Sequence, residues 1–192
     1  MKITHIIIGV IAVAGVFLLI PQSENKQGGV KKMTGDPTTF EKVSATKATI
    51  KTKKGDIQLE LYPQDAPKTV TNFTTLAKNG FYDGLTFHRV EPGFVIQGGD
   101  PDGNGTGGTS IYGSEFEDEL NENTESYKNG YKEGVLAMAN RGPDTNSSQF
   151  FIMLADNDSL PKNYTIFGKV TTGMDVVKNI AVGDVMLSVT GE

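Results

Sequence analysis

The sequence contains no cysteine and only two histidines in 192 residues. The absence of cysteine excludes disulfide bonds, thiolate catalysis and cysteine-ligated zinc. His5 lies near the N-terminus, so His88 is the only histidine of the predicted folded domain and has no second histidine to share a metal site. We expect no metal and no cofactor, and we interpret His88 as a structural residue or as a partner of nearby pocket residues.

A basic stripe of the kind that binds nucleic acid is also lacking. The 18 lysines and arginines are dispersed and are outnumbered by 23 acidic residues, which gives a formal net charge of −5. Phosphate binding requires basic residues that cluster on one face. The charge pattern therefore argues against nucleic acid as a partner. No internal repeat is apparent either, and we expect one folded domain that acts as a monomer.

A long apolar run occurs only at the N-terminus. Residues 6–20 carry no charge, and Pro21 ends any helix that forms there. No small-x-small cleavage site follows, so we interpret residues 1–20 as an uncleaved membrane anchor, with a cleaved signal segment as the alternative. The lysines after the run outnumber Lys2 before it, which leaves the orientation open. We expect a membrane-anchored chain with an extracytoplasmic domain, or an exported one.

Residues 21–45 are rich in polar residues and show no apolar periodicity. Such a segment cannot bury enough surface to offset the entropy lost on ordering. We predict a flexible linker here, followed by the folded domain over residues 46–192.

The folded domain is predicted to consist of short strands and two helices. Its many glycines and prolines separate short apolar segments, which favours an all-β architecture. One helix is predicted to begin near Pro67 and to end before Gly80, and a second covers residues 173–182. Strands are predicted over residues 48–52, 56–61, 134–139, 150–154 and 165–170, with further β-prone sequence between residues 86 and 96. This pattern indicates a closed barrel with helical caps.

Two blocks of sequence contain the candidate site. Residues 87–100, FHRVEPGFVIQGGD, place Arg89 among apolar residues, and residues 138–152, MANRGPDTNSSQFFI, add amides and aromatic rings. This pattern suits a pocket for a proline-containing peptide. The candidates for an apolar slot, each of which could equally belong to the core, are Phe94, Val95, Phe151, Leu160 and Tyr164. The candidates for hydrogen bonds to the peptide are the amides of Gln97, Asn140 and Gln149, which would be costly to bury without a partner.

The glycine-rich residues 98–108 match two motifs that we reject. Residues 103–108 fit G-x-G-x-x-G, but no helix of a βαβ unit is predicted to follow, so dinucleotide binding is disfavoured. Asp100 begins a calcium-loop-like pattern, but Ile111 stands where a bidentate glutamate is required. A tight loop with several positive φ angles is the simpler interpretation.

From about residue 48 to 182 the chain resembles the cyclophilin family of peptidyl-prolyl isomerases. Beyond the two blocks, residues 82–84, 104–108, 110–113, 116–119 and 167–170 look like family motifs. The resemblance implies an all-β fold, an eight-stranded antiparallel closed β-barrel capped by two α-helices. It also implies that Arg89 is catalytic. The peptide-binding positions that it implies are His88, Phe94, Val95, Gln97, Ala139, Asn140, Arg141, Gln149, Phe151, Leu160 and Tyr164.

The chain departs from the family pattern at four positions. Val95 stands where methionine is frequent, Arg141 where a small residue is common and Tyr164 where histidine is frequent. Ser159 stands where many eukaryotic relatives have a tryptophan that contacts cyclosporin. The resemblance therefore implies weak inhibition by that drug.

The function implied is isomerisation of Xaa-Pro bonds in unfolded or newly translocated polypeptides. The obstacle is the partial double bond of the amide, about 18–20 kcal/mol, so a fixed donor aimed at the prolyl nitrogen of the twisted amide is sufficient. Arg89 is the candidate donor, although taken alone it could be a surface arginine paired with Glu91. The alternative function is a peptide-binding chaperone or scaffold with negligible turnover. A hydrolase is disfavoured because His88 has no evident nucleophile beside it.

Overall fold

Eight antiparallel strands form one curled sheet in the computed structural model, which describes residues 44–192. The strands are β1 (Lys47–Thr52), β2 (Gly55–Leu61), β3 (Arg89–Glu91), β4 (Val95–Gly98), β5 (Val135–Met138), β6 (Phe150–Met153), β7 (Ile166–Thr172) and β8 (Met186–Gly191). Their order in the sheet is β3-β4-β6-β5-β7-β2-β1-β8. The helices are α1 (Pro67–Lys78), α2 (Glu125–Asn129) and α3 (Met174–Asn179). The predicted anchor and nearly all of the predicted linker lie outside the described residues.

The first two predicted strands are confirmed, and they form a hairpin. Strands β1 and β2 pair from Lys47 with Glu60 to Thr52 with Gly55. Gly55 has a φ of 136°, a conformation that favours glycine, and the Thr52 hydroxyl donates to its carbonyl oxygen at 2.9 Å. The turn therefore sets the register in which both strands turn their apolar residues to one side.

The predicted helix α1 is also confirmed, with Pro67 in its first turn. Phe73 on its apolar face is completely buried. The centroid of its ring lies 5.2 Å from that of Tyr82, 5.6 Å from that of Phe150 and 5.3 Å from that of Phe167. These aromatic contacts fix α1 over the apolar core of the barrel.

Some elements differ from the prediction. The β-prone residues 86–96 form part of a hairpin, β3 and β4, and α3 covers only part of the predicted residues 173–182. The strand β8 and the one-turn helix α2 were not predicted. Residues 84–87 close the gap between the two ends of the sheet. There Gly84 N–H donates to Met186 O, and Met186 N–H donates to Leu85 O, both at 2.8 Å.

The sheet has two differently packed faces. Ile96, Leu136 and Ile152 point into the barrel and belong to its completely buried core. Their neighbours along the same strands, such as Val95 and Phe151, belong to a second apolar cluster on the outer face. Alternation along a strand sends successive side chains to opposite faces, so the outer cluster is available to form a binding site.

No helix within residues 44–192 combines the length and the apolar character that crossing a bilayer requires.

Candidate active site

Three predicted site residues lie side by side across three neighbouring strands. Arg89 on β3 pairs with Gln97 on β4, and Gln97 pairs with Phe151 on β6. Residues that are paired across strands present their side chains on the same face of a sheet. The register therefore brings the guanidinium, an amide and an aromatic ring together on the outer face of the barrel.

A four-residue turn places Phe94 beside Arg89. Phe94 N–H donates to Glu91 O at 2.9 Å, and the residues between them are Pro92 and Gly93, with a φ of 74° at Gly93. Proline followed by a glycine of positive φ suits the central positions of a type II turn. The Cζ atom of Arg89 lies 5.8 Å from the centroid of the Phe94 ring, within the range of a cation–π contact.

These residues border a cavity of about 230 Å³. Its apolar lining comes from the second cluster, and Phe151 is only 6% exposed. The Tyr164 ring meets the Phe151 ring edge to face at 5.5 Å between centroids. The cavity thus joins one cation with an apolar wall. The lining residues are Arg89, Phe94, Val95, Gln97, Ala139, Asn140, Phe151, Leu160 and Tyr164.

The Arg89 guanidinium lies at the surface end of the cavity, with 43% of the side chain exposed. Its NH1 donates to Gln97 Oε1 at 3.3 Å, and its Nε lies 3.6 Å from Glu91 Oε1. The pairing with Glu91 that the sequence suggested as an alternative is therefore present. It uses one edge of the guanidinium and coexists with the position of Arg89 at the cavity.

Gln149 does not line the cavity. Its side-chain amide donates to Gly105 O at 3.1 Å and to Gly107 O at 2.8 Å, and its Oε1 accepts from Gln97 Nε2 at 2.9 Å. Gln149 is 5% exposed. The cost of burying this amide is therefore met by partners within the protein.

Asn140 lines the cavity, but its side-chain amide is used elsewhere. Nδ2 donates to Asn163 O at 2.8 Å and to Asp118 Oδ1 at 3.3 Å. Asp118 also accepts from Asn146 Nδ2 at 2.7 Å and from Asp144 N–H at 2.9 Å. The main-chain N–H and C=O of Asn140, by contrast, make no hydrogen bond within residues 44–192. The main-chain groups of Asn140 are thus left without a partner among the described residues, while its side-chain amide is committed.

His88 and Arg141 also lie outside the cavity lining. Both ring nitrogens of His88 are buried and have no hydrogen-bond partner among the described residues. Burial lowers the pKa of His88, and the nearby Arg89 charge acts in the same direction, while Asp100 opposes it. Arg141 is exposed and forms an ion pair with Glu115. Its NH1 lies 3.5 Å from Thr106 O.

Tyr131 supports the cavity wall and was missed by sequence reasoning. Its hydroxyl donates to Tyr164 O at 3.0 Å and accepts from Tyr164 N–H at 2.9 Å. Burial raises the pKa of Tyr131 to about 12, so the hydroxyl keeps its proton. Tyr131 follows α2 in a segment without an apolar pattern, and only the buried aromatic ring could have pointed to it.

The sequence of the chain matches a known protein family. Residues 47–190 match the family described as "Cyclophilin type peptidyl-prolyl cis-trans isomerase/CLD". The chain is 55% identical over 131 residues to a peptidyl-prolyl cis-trans isomerase of Schizosaccharomyces pombe, which covers 68% of this chain and 82% of that protein. It is 48% identical over 137 residues to one of Arabidopsis thaliana, which covers 71% of this chain and 81% of the other.

A solved structure shares the fold. It is that of a cyclophilin-type peptidyl-prolyl cis-trans isomerase of Cryptosporidium parvum in the presence of the dipeptide Ala-Pro. The two structures superpose with a TM-score of 0.69 at 34% identity, over 76% of this chain and 98% of that one.

Proposed function

Because the chain belongs to the cyclophilin-type peptidyl-prolyl cis-trans isomerase family and is an enzyme of that kind, we propose that Arg89 is its catalytic residue. The observation that carries this proposal is the position of the guanidinium, at the border of an apolar cavity and between Gln97 and the Phe94 ring. In this reaction no covalent bond forms or breaks, and only the conjugation of the amide is lost during rotation. A cation with several fixed N–H donors beside an apolar slot suits such a reaction.

The proline ring binds in the apolar part of the cavity. Its walls are Phe94, Phe151, Leu160 and Tyr164, and the volume of about 230 Å³ leaves room for one small ring and its neighbouring peptide units. The open main-chain groups of Asn140 hold the extended peptide by hydrogen bonds. The peptide bond before proline then lies near Arg89.

Arg89 acts on the twisted amide more strongly than on the planar one. When the bond rotates, conjugation is lost and the prolyl nitrogen regains a lone pair, which accepts a hydrogen bond from the guanidinium. Only interactions that strengthen in the transition state accelerate the reaction. Gln97 and the Phe94 ring hold the guanidinium in place, so little reorganisation is needed during rotation.

The test compares Arg89→Ala and Arg89→Lys with the wild type, with NMR exchange spectroscopy on a short Ala-Pro peptide. Both variants are expected to lose roughly 100-fold in kcat/KM, since lysine keeps the charge but lacks the rigid fork of donors. Lys169→Ala is the control, because Lys169 is also a half-exposed strand cation paired with a glutamate, Glu60, at 3.2 Å. Wild-type exchange in Arg89→Ala would refute the mechanism.

The same experiment addresses the binding-module alternative. A chaperone or scaffold with this cavity would broaden or shift the peptide signals without accelerating cis-trans exchange. An isomerase accelerates exchange and loses that acceleration in Arg89→Ala while the variant keeps its fold.

We further propose that the enzyme acts as a monomer held at a membrane by residues 1–20, on unfolded or newly translocated polypeptides. The support is the uncharged apolar run of residues 6–20 and the polar segment that follows it. Membrane fractionation of the full chain and of a chain that begins at residue 21 tests this. Equal recovery of both in the soluble fraction would overturn the proposal.

A further inference from the structure

We propose that Asp100 is a positioning residue that orients Arg89 through the glycine-rich loop and the amides of Gln149 and Gln97. Asp100 does not line the cavity, and its side chain is almost fully buried, with 1% exposed. A buried carboxylate is costly unless it is well hydrogen-bonded. Its partners therefore indicate what it does.

The Asp100 carboxylate organises the loop that follows it. Oδ1 accepts from Asp102 N–H at 2.9 Å, and Oδ2 accepts from Asn104 N–H at 3.0 Å and Gly105 N–H at 2.6 Å. Although burial opposes ionisation, these main-chain donors hold the pKa of Asp100 below its usual value. Three N–H groups thus converge on one ionised side chain.

The close fit of the loop leaves the carboxylate one position. Gly105 has a φ of 89°, which favours glycine. A Cβ atom added at Gly107 would clash with Asp100 Oδ1. The folded loop directs the carbonyl groups of Gly105 and Gly107 at the same atom, Nε2 of Gln149. Two acceptors on one amide nitrogen fix the direction in which the other end of that amide points.

That other end is Gln149 Oε1, which accepts from Gln97 Nε2 at 2.9 Å. Because Gln97 Nε2 donates to Gln149, the other end of the amide, Gln97 Oε1, faces Arg89 and accepts from its NH1 at 3.3 Å. Each amide in this relay has one orientation that satisfies both neighbours. The relay therefore runs from Asp100 through the loop, Gln149 and Gln97 to the guanidinium. Only its last two members, Gln97 and Arg89, line the cavity.

A carboxylate at position 100 is required because both of its oxygens accept. In Asp100→Asn one oxygen becomes an NH₂ group that faces main-chain N–H donors, so one side of the loop loses its partner. The loop carbonyls then move, and the guanidinium loses its fixed direction. A displacement of about 1 Å at a catalytic group can cost up to about 100-fold in rate.

The inference rests on the proposed role of Arg89, so the experiment includes Arg89→Ala. In the full chain, NMR exchange with an Ala-Pro peptide gives kcat and KM, and the Arg89 Nε–H signal reports the guanidinium. Asp100→Asn is expected to lower kcat about tenfold with KM within about twofold of wild type, and to shift or broaden that signal. Asp184→Asn is the control, because Asp184 also accepts a main-chain N–H, from Ala181 at 2.7 Å, but lies apart from the relay.

The double variant Asp100→Asn/Gln149→Met tests the relay itself. If Asp100 acts through Gln149, the double variant is no slower than the slower single variant. Multiplicative losses, an unshifted Arg89 signal or wild-type kcat in Asp100→Asn would each overturn the inference.

Three further outcomes keep the hypotheses separate. If Asp100→Asn does not fold, Gln149→Met decides: lower kcat with unchanged KM supports the relay, and higher KM with unchanged kcat identifies Gln149 as a substrate contact and overturns it. If Arg89→Ala keeps wild-type exchange, the proposed mechanism fails, and the relay loses its catalytic consequence. If Arg89→Ala is slow while Asp100→Asn is not, only the present inference fails.

Discussion

Removal of the Tyr131 hydroxyl is expected to weaken both the fold and peptide binding. Tyr131→Phe keeps the ring that packs 6.1 Å from the Tyr164 ring but removes the two hydrogen bonds, of 3.0 and 2.9 Å, to the main chain of Tyr164. At about 0.5–1.5 kcal/mol for each bond, the free energy of unfolding falls by about 1–3 kcal/mol. For a domain of this size, each kcal/mol lowers Tm by about 3 °C.

The effect on activity comes through the cavity wall. Tyr164 lines the cavity and meets the Phe151 ring at 5.5 Å, so freeing its main chain lets the aromatic wall move. We expect KM to rise about threefold to tenfold, equivalent to about 0.7–1.4 kcal/mol of binding, while kcat stays near wild type because Arg89 is untouched. The assays are thermal unfolding by circular dichroism and NMR exchange at several peptide concentrations.

Tyr112→Phe provides the matched control. Its hydroxyl also donates to a main-chain carbonyl, that of Lys68 at 3.1 Å, but Tyr112 does not line the cavity. This variant is expected to lose some stability and to keep its KM. If Tyr131→Phe keeps the wild-type Tm and KM, or if both variants change KM equally, the reasoning from the Tyr164 contact is wrong.

Three further predictions concern the cavity and its surroundings. Phe151→Ala removes a ring that is 6% exposed and forms the apolar wall, so we expect a loss of about 3 kcal/mol in unfolding free energy and a large rise in KM, checked by denaturant unfolding and NMR exchange. Ser159 is exposed beside Leu160 and stands where many relatives of the family have a tryptophan that contacts cyclosporin, so the drug should inhibit the wild type weakly. Ser159→Trp should lower the inhibitor concentration needed, and unchanged inhibition would contradict this. Burial lowers the pKa of His88 in the folded state, so the folded state favours the neutral ring. The contribution of His88 to the free energy of unfolding should therefore be fully present above about pH 6.5 and should be lost as the pH falls through the folded-state pKa. A proton NMR titration of His88, assigned with a His88→Asn variant, should give a midpoint below 6.5; a midpoint above that value contradicts the burial argument.

Arg89 and Gln97 were predicted as site residues, although the hairpin that joins them was not predicted. Arg89 and Gln97 face each other because the Pro92-Gly93 turn sets the register of β3 and β4, and both the turn and the alternation are visible in the sequence. Phe151 joins them through the pairing of β4 with β6, which was not predicted from the sequence.

The orientation of the amides could not be predicted. Gln149 was a candidate for direct contact with the peptide, but its side chain turns to two carbonyl groups of the glycine-rich loop. We propose that the backbone conformation that directs those carbonyl groups depends on Asp100, whose carboxylate accepts from the N–H groups of Asn104 and Gly105, four and five residues later in the chain. Tyr131 was missed for a related reason, since its contact with Tyr164 joins segments that are distant in sequence.

With the peptide bound as proposed, the position of the cavity on the outer face of the barrel determines which parts of a client can be processed. A chamber inside the barrel would admit a polypeptide only by one of its termini. Here the half-exposed Arg89 and the neighbouring Asn140 border the cavity at the protein surface, so a strand can lie across it with both flanking arms in solvent. The enzyme therefore needs no free chain end, and a proline in the middle of a client of any length is as accessible as one near its terminus.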